Sequence, residues 1–172
     1  AAWSGGSGGL WEEAFALLAA ARRRGPRPGA EGWGGAGAAC ERAAAWEPAL
    51  ALLQALCEVG LRCNDILWNV GAGACQKGLE WRRVLALLRS MRREAAHPDA
   101  ITYSVAVNAV EHAQEWEQGL RLLSDMCRSA LQPSIATYSA VVGACESGGR
   151  RDLALQLLLE MQSRGLVVLE DA

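Results

Sequence analysis

The chain has 172 residues, a formal net charge of −2, 51% hydrophobic and 21% charged residues. This balance excludes a disordered polyelectrolyte and a strongly basic nucleic-acid-binding domain, and it suits one globular core or a short repeat array. Apolar runs are only a few residues long, too short for a membrane-spanning helix.

Taken in chain order, residues 1–9 are rich in Gly and Ser and predict no stable structure. Arg22-Arg23-Arg24 reads as the cationic end of a helix that Gly25-Pro26 stops. Residues 1–29 thus read as the back part of a repeat, as though the chain were cut from a longer array. From there a period of 35 takes over: Trp33, Trp68, Tyr103 and Tyr138 hold one slot. Trp11, Trp46, Trp81 and Trp116 hold a second, with Arg151 next. Leu52-Leu53, Leu87-Leu88, Leu122-Leu123 and Leu157-Leu158 hold a third. Ala39, Ala74, Ala109 and Ala144 hold a fourth, beside Cys40, Cys75, Val110 and Cys145. With no insertion to break the register, the units are 30–64, 65–99, 100–134 and 135–169, preceded by the partial repeat 1–29 and followed by the tail 170–172.

Each unit predicts two helices. In residues 100–134, Tyr103, Val107 and Val110 form one apolar stripe at helical spacing, and Trp116, Leu120 and Leu123 form the next. Pro98-Asp99 and Pro133-Ser134 end one unit and cap the helix that opens the following one. Gly34, Gly35 and Gly37 lie inside the first helix of unit 30–64 and predict fraying there, at about 1 kcal/mol each relative to Ala. No stretch shows sustained two-residue alternation, so no strands are predicted. A hairpin of this size cannot bury its apolar face alone. The predicted fold is an all-α, right-handed superhelical solenoid of helix-turn-helix repeats.

Six Cys and two His occur without a CxxC pair, which argues against a metal site, and the cysteines suit buried apolar positions better than a disulfide framework. No nucleophile–base constellation, phosphate loop or carboxylate pair stands out, so neither catalysis, a cofactor nor a small-molecule substrate is predicted. The Trp series follows the apolar stripes and predicts core or inter-repeat packing. Arg82, Arg83, Arg89, Arg92 and Arg93 lie on second helices and predict a solvated outer face.

The 35-residue period, with Ala100-Ile101-Thr102-Tyr103 opening a helix, Leu122-Leu123 and Met126 in the second, and Pro98-Asp99 between units, resembles the pentatricopeptide repeat family. Ile135-Ala136-Thr137-Tyr138-Ser139, Leu157-Leu158 with Met161, and Arg164-Gly165-Leu166 carry the same resemblance. Ala74-Cys75-Gln76-Lys77-Gly78 followed by Trp81 is similar to the alanine- and tryptophan-rich repeats of algal, especially dinoflagellate, members. The resemblance implies non-catalytic binding of single-stranded RNA in a chloroplast or mitochondrion, in transcript processing, stability or translation. One repeat would read about one base through two or three side chains.

The family's reading pairs fall on Gly34 with Asn64, Asn69 with Asp99, Ser104 with Ser134, and Ser139 with Leu169. Its base-sandwiching position falls on Glu31, Ile66, Ile101 and Ala136. Asn69 with Asp99, flanked by Ile66 and Ile101, is the well-formed set, and in the family it prefers uracil. Gly34 has no side chain to read with, Glu31 would repel RNA, and Leu169 cannot hydrogen-bond a base. Arg42, Lys77 and His112, with Ser147 next, share the slot at which the family contacts the RNA backbone. Asn64, Asp99 and Ser134 are equally good helix caps. A reading of a different class is a scaffold whose groove holds a peptide or a partner helix, making other proteins the partners.

Overall fold

The computed structural model describes residues 30–58, 65–94 and 96–166, with positions 12 and 16. Asn64, Leu169, the tail 170–172 and nearly all of the partial repeat 1–29, including the stretch 1–9 and the helix end expected at Arg22-Arg23-Arg24, lie outside the described residues. Among those described are eight helices and no strand: α1 (Ala30–Arg42), α2 (Trp46–Glu58), α3 (Asp65–Lys77), α4 (Trp81–Arg93), α5 (Ala100–His112), α6 (Trp116–Arg128), α7 (Ile135–Ser147) and α8 (Arg151–Ser163). The first helices start 35 residues apart, and so do the second helices.

Identical lengths follow from identical stop signals. After each first helix one residue turns left-handed: Ala44 (φ 51°), Leu79 (φ 59°), Gln114 (φ 58°) and Gly149 (φ 72°). The next amide then reaches back five residues, as Ala45 N to Cys40 O (2.9 Å), Glu80 N to Cys75 O (2.9 Å), Glu115 N to Val110 O (2.9 Å) and Arg150 N to Cys145 O (2.8 Å). This Schellman closure satisfies the last carbonyls and fixes where the second helix can begin.

The chain divides into two compact units, residues 1–96 and 97–172. In the first, α1 packs on α3, and α3 also packs against α2 and α4; in the second, α5 packs on α7, and α7 also packs against α6 and α8. Among the described residues each unit is therefore two hairpins whose first helices lie side by side, with the second helix of the leading hairpin lodged against the first helix of the trailing one. The buried slots are the repeated ones. Leu52, Leu53, Trp68, Cys75, Val84 and Met91 fill the first core, and Tyr103, Val107, Leu123, Met126, Tyr138 and Met161 the second. Each buried aliphatic side chain contributes roughly 2 kcal/mol of transfer free energy.

Despite its glycines, α1 runs from Ala30 to Arg42 in the structure. Gly37 is buried, and a Cβ there would lie 2.8 Å from Val70 Cγ1, so the missing side chain is what lets α1 meet α3. The helix-propensity penalty of that glycine is offset by the packing it permits.

Candidate functional site

The residues singled out in the sequence sit at the two ends of the first helices. At the N-terminus of α5, Asp99 is extended (φ −93°, ψ −178°) and its Oδ1 accepts the Thr102 amide (2.8 Å) and the Thr102 hydroxyl (2.8 Å). The Asp99 amide donates back to Thr102 Oγ1 (3.3 Å), closing a capping box. Ser134 repeats the arrangement on α7, its Oγ accepting the Thr137 amide (3.2 Å) and lying 3.0 Å from Thr137 Oγ1. Asp99 and Ser134 are thus working caps, each worth about 1 kcal/mol.

One turn on, the aromatics at 68, 103 and 138 are buried while the residues two positions earlier are exposed. Trp68, Tyr103 and Tyr138 are 3%, 0% and 0% exposed, whereas Ile66 and Ile101, two residues earlier, are 65% and 62% exposed. Tyr103 OH lies 3.5 Å from Ser129 Oγ, and Tyr138 OH donates to Glu160 Oε1 (2.9 Å). Burial, together with that bond, pushes the Tyr138 phenol up to about 12, so it stays a neutral donor. These anchors fix the helix, and with it the outward face. On that face Asn69 and Ser104 are half-buried, and Ser139 and Ala136 are exposed. Ser104 Oγ donates to Ala100 O (2.8 Å), which commits its proton and leaves the oxygen as an acceptor. Asn69 belongs to the first compact unit and Asp99 to the second.

At the other end, Arg42, Lys77 and His112 are exposed last residues of α1, α3 and α5, and Ser147 ends α7. Lys77 is already engaged: its Nζ donates to Glu41 Oε1 across the α1–α3 boundary at 3.0 Å. The carboxylate reaches there by lying over Gly73, where a Cβ would meet Glu41 Cδ at 3.0 Å. Sequence reasoning missed this pair. Its only signal was an acid immediately before the basic slot.

The outer helices differ from expectation in one respect. Arg83 is not simply solvated: its guanidinium stacks 4.9 Å above Trp46 of the preceding hairpin, and Arg150 stacks 4.7 Å above Trp116 in the same way. Arg82 covers Trp81 (4.7 Å). Among the described cysteines, Cys40, Cys75 and Cys145 are buried and Cys127 is half-buried. Burial pushes the Cys40 and Cys75 thiols up to about 11, which suppresses the thiolate and any nucleophilic use.

Residues 136–166 match the family model of the PPR repeat. No curated protein matches the chain. Among solved structures, the pentatricopeptide repeat protein PPR10 from maize superposes with a TM-score of 0.71 at 27% identity, over 94% of this chain and 23% of that one. PPR10 in complex with an 18-nt psaJ RNA element gives 0.70 at 18% identity, over 90% and 23%. The PPR domain of Arabidopsis thaliana protein-only RNase P 1 in complex with tRNA gives 0.79 at 14% identity, over 93% of this chain and 84% of that domain. The chain therefore spans 23% of the length of the maize protein. These likenesses show an all-α helical-repeat solenoid fold. A PPR repeat is matched at 136–166, and among the described residues paired helices of the same length recur every 35 positions, as in the pentatricopeptide repeat proteins the chain is similar to.

Proposed function

We propose that the chain binds single-stranded RNA along the opening turns of its first helices, about one base per repeat, over repeats at 30–64, 65–99, 100–134 and 135–169. One observation carries this reading. Ile66 and Ile101 stand in water at the same slot of successive repeats, two residues before an aromatic that is fully packed. Burying such a side chain contributes roughly 2 kcal/mol, and a base lying against it recovers that energy. Asn69 and Asp99 form the uracil-preferring pair implied by the family, and Ser104 with Ser134 a second reader. Ser139 and Asn64 supply the outer contacts. Arg42, Lys77 and His112 meet the phosphates. PPR10 solved with an 18-nt psaJ RNA element and the RNase P 1 PPR domain solved with tRNA support the ligand class. The proposed role is non-catalytic and lies in organellar transcript processing, stability or translation, in a chloroplast or mitochondrion.

The test is binding of short uridine-rich and cytidine-rich RNAs by fluorescence anisotropy. Ile66→Ser and Ile101→Ser should each weaken binding by about 1 kcal/mol, toward the low end of stacking contributions, while leaving the melting temperature unchanged. Asp99→Asn keeps an acceptor for the Thr102 amide, so it should preserve the cap and move preference from uracil towards cytosine. Unchanged affinity in both serine variants overturns the reading.

A second reading, a scaffold for proteins, draws on Leu155, Leu158 and Leu159 of α8, which are all exposed. It predicts that Leu155→Ser with Leu159→Ser abolishes capture of an amphipathic helical peptide and leaves RNA binding intact.

A further inference from the structure

We infer that Glu41 governs how strongly the first compact unit holds an anionic strand, by occupying Lys77 as its counter-ion; the inference rests on the RNA-binding reading above. Lys77 Nζ and Glu41 Oε1 are 3.0 Å apart, with side-chain exposures of 47% and 34%. The pair is open to solvent, so it is weak enough for a phosphate to compete with. A phosphate oxygen reaching Lys77 must displace a carboxylate and then sit beside it. The geometry is built rather than incidental. Gly73 lies four residues before Lys77 on the same helix, and the Glu41 side chain lies across it, its Cδ, Oε1 and Cγ being 3.0, 3.1 and 3.2 Å from where a Cβ would stand. The second unit repeats the acid without the lysine. Glu111 reaches over Gly143, its Oε1 3.2 Å from the Cβ position, and Ser147 stands where Lys77 would be. The slot is thus acidic at Glu41, Glu111 and Glu146 and neutral at Gln76. A first helix whose penultimate residue is an acid thus sets a competitor for phosphate against the basic residue that ends the next first helix.

The experiment measures binding of a short uridine-rich RNA, and of linear inorganic polyphosphate as a base-free probe, across a salt series on the full chain. Glu41→Gln should tighten RNA binding about three- to tenfold at low salt and steepen the dependence of log K on log salt by about 0.7, one added phosphate contact. Gly73→Ala should move both quantities the same way by a smaller amount, because its methyl pushes the carboxylate away without changing charge. Lys77→Ala added to Glu41→Gln should abolish the gain. Glu111→Gln removes an equal charge but frees no lysine, so it should leave the slope unchanged. Circular dichroism confirms that each variant remains helical. If RNA binds but Glu41→Gln alters neither affinity nor slope, the inference is overturned and the RNA reading stands. A gain for polyphosphate with no RNA binding overturns the RNA reading and keeps Glu41 as a governor of anion binding. Binding of neither probe by any variant overturns both.

Discussion

The two compact units have helices of the same length and turns of the same geometry, but they reach them by different chemistry. In the second unit both first helices open with a cap that pairs with a buried Thr at the third position, Thr102 or Thr137. Both phenols, Tyr103 and Tyr138, have polar partners. In the first unit that third position is Leu67 on α3, which has no hydroxyl to return a bond. Trp68 takes the tyrosine slot, and its buried indole Nε1 has no hydrogen-bond partner, a small standing cost. The units also fill the interface between the leading second helix and the trailing first helix differently, with Gly71 and Ala49 in the first where the second has Val141 and Gly119. In the first, Gly71 of α3 receives Leu53 of α2, and a Cβ at Gly71 would lie 2.6 Å from Leu53 Cδ1. In the second, Val141 of α7 is the larger partner and Gly119 of α6 the smaller, and a Cβ at Gly119 would lie 3.5 Å from Val141 Cγ1, an ordinary contact distance. One period therefore specifies a volume to be filled at each interface. It does not specify which helix fills it.

The largest expected effect tests the shared part of that comparison. Leu53→Ala and Leu123→Ala should each cost roughly 2–5 kcal/mol in urea unfolding, since both are buried between hairpins. Leu158→Ala, in the same slot but 39% exposed, should cost less than about 1 kcal/mol. Equal losses at all three positions would show that the slot matters through its own hairpin and not through the neighbouring one.

Next come the turns. A Cβ at Gly78 would stand 2.5 Å from Trp46 Cδ1, and one at Gly148 would stand 2.4 Å from Trp116 Cδ1. Gly78→Ala and Gly148→Ala should each destabilise by about 1–3 kcal/mol, because a packed ring must move. Arg83 and Arg150 should then lose their stacking, visible as a change in tryptophan fluorescence. A neutral outcome in one unit alone would separate two devices that look alike.

The sharpest contrast between the units is smaller in size. Gly119→Ala meets only ordinary contact distances and should stabilise by about 1 kcal/mol through helix propensity. Gly71→Ala gains the same propensity but must displace Leu53 Cδ1, so its net effect should be zero or destabilising. Matching stabilisation at both positions would erase the proposed difference between the two interfaces.

The gentlest prediction uses alkaline pH. Burial raises the Cys40 and Cys75 thiols from about 9 to about 11 in the folded first unit. Above pH 9 the unfolded chain loses protons that the folded chain keeps, so this contribution is complete below pH 9 and is lost as pH rises to 11. Tyr138 in the second unit, raised from 10 to about 12, loses its contribution in the later window, from pH 10 to 12. The Cys145 thiol is shifted upward as well. Urea unfolding from pH 8 to 11 should therefore show stability falling first through the thiols. Cys40→Ala with Cys75→Ala should flatten the early fall, and a wild-type curve flat between pH 9 and 11 would contradict the buried-thiol account.

Much of the candidate site was legible before any coordinates. Helical phase alone separates Ile101, Ser104 and His112 from the Tyr103–Val107–Val110 stripe, and the burial pattern follows that division. Asp99 and Ser134 announce themselves as caps by residue type and position. The run of α1 from Ala30 to Arg42 was not legible, because the cost of Gly37 is local and its benefit depends on Val70, which stands far along the chain. Nor was the engagement of Lys77 by Glu41 or of Trp46 by Arg83, each joining residues more than thirty positions apart. The sequence by itself determined what depends on neighbours within a turn or two: the period, the helix ends, and which slots are apolar. Only the tertiary structure decided which side chains meet across stacked hairpins, because such contacts depend on the distance and angle between two helices. Those are set by the summed volumes of all the residues between them.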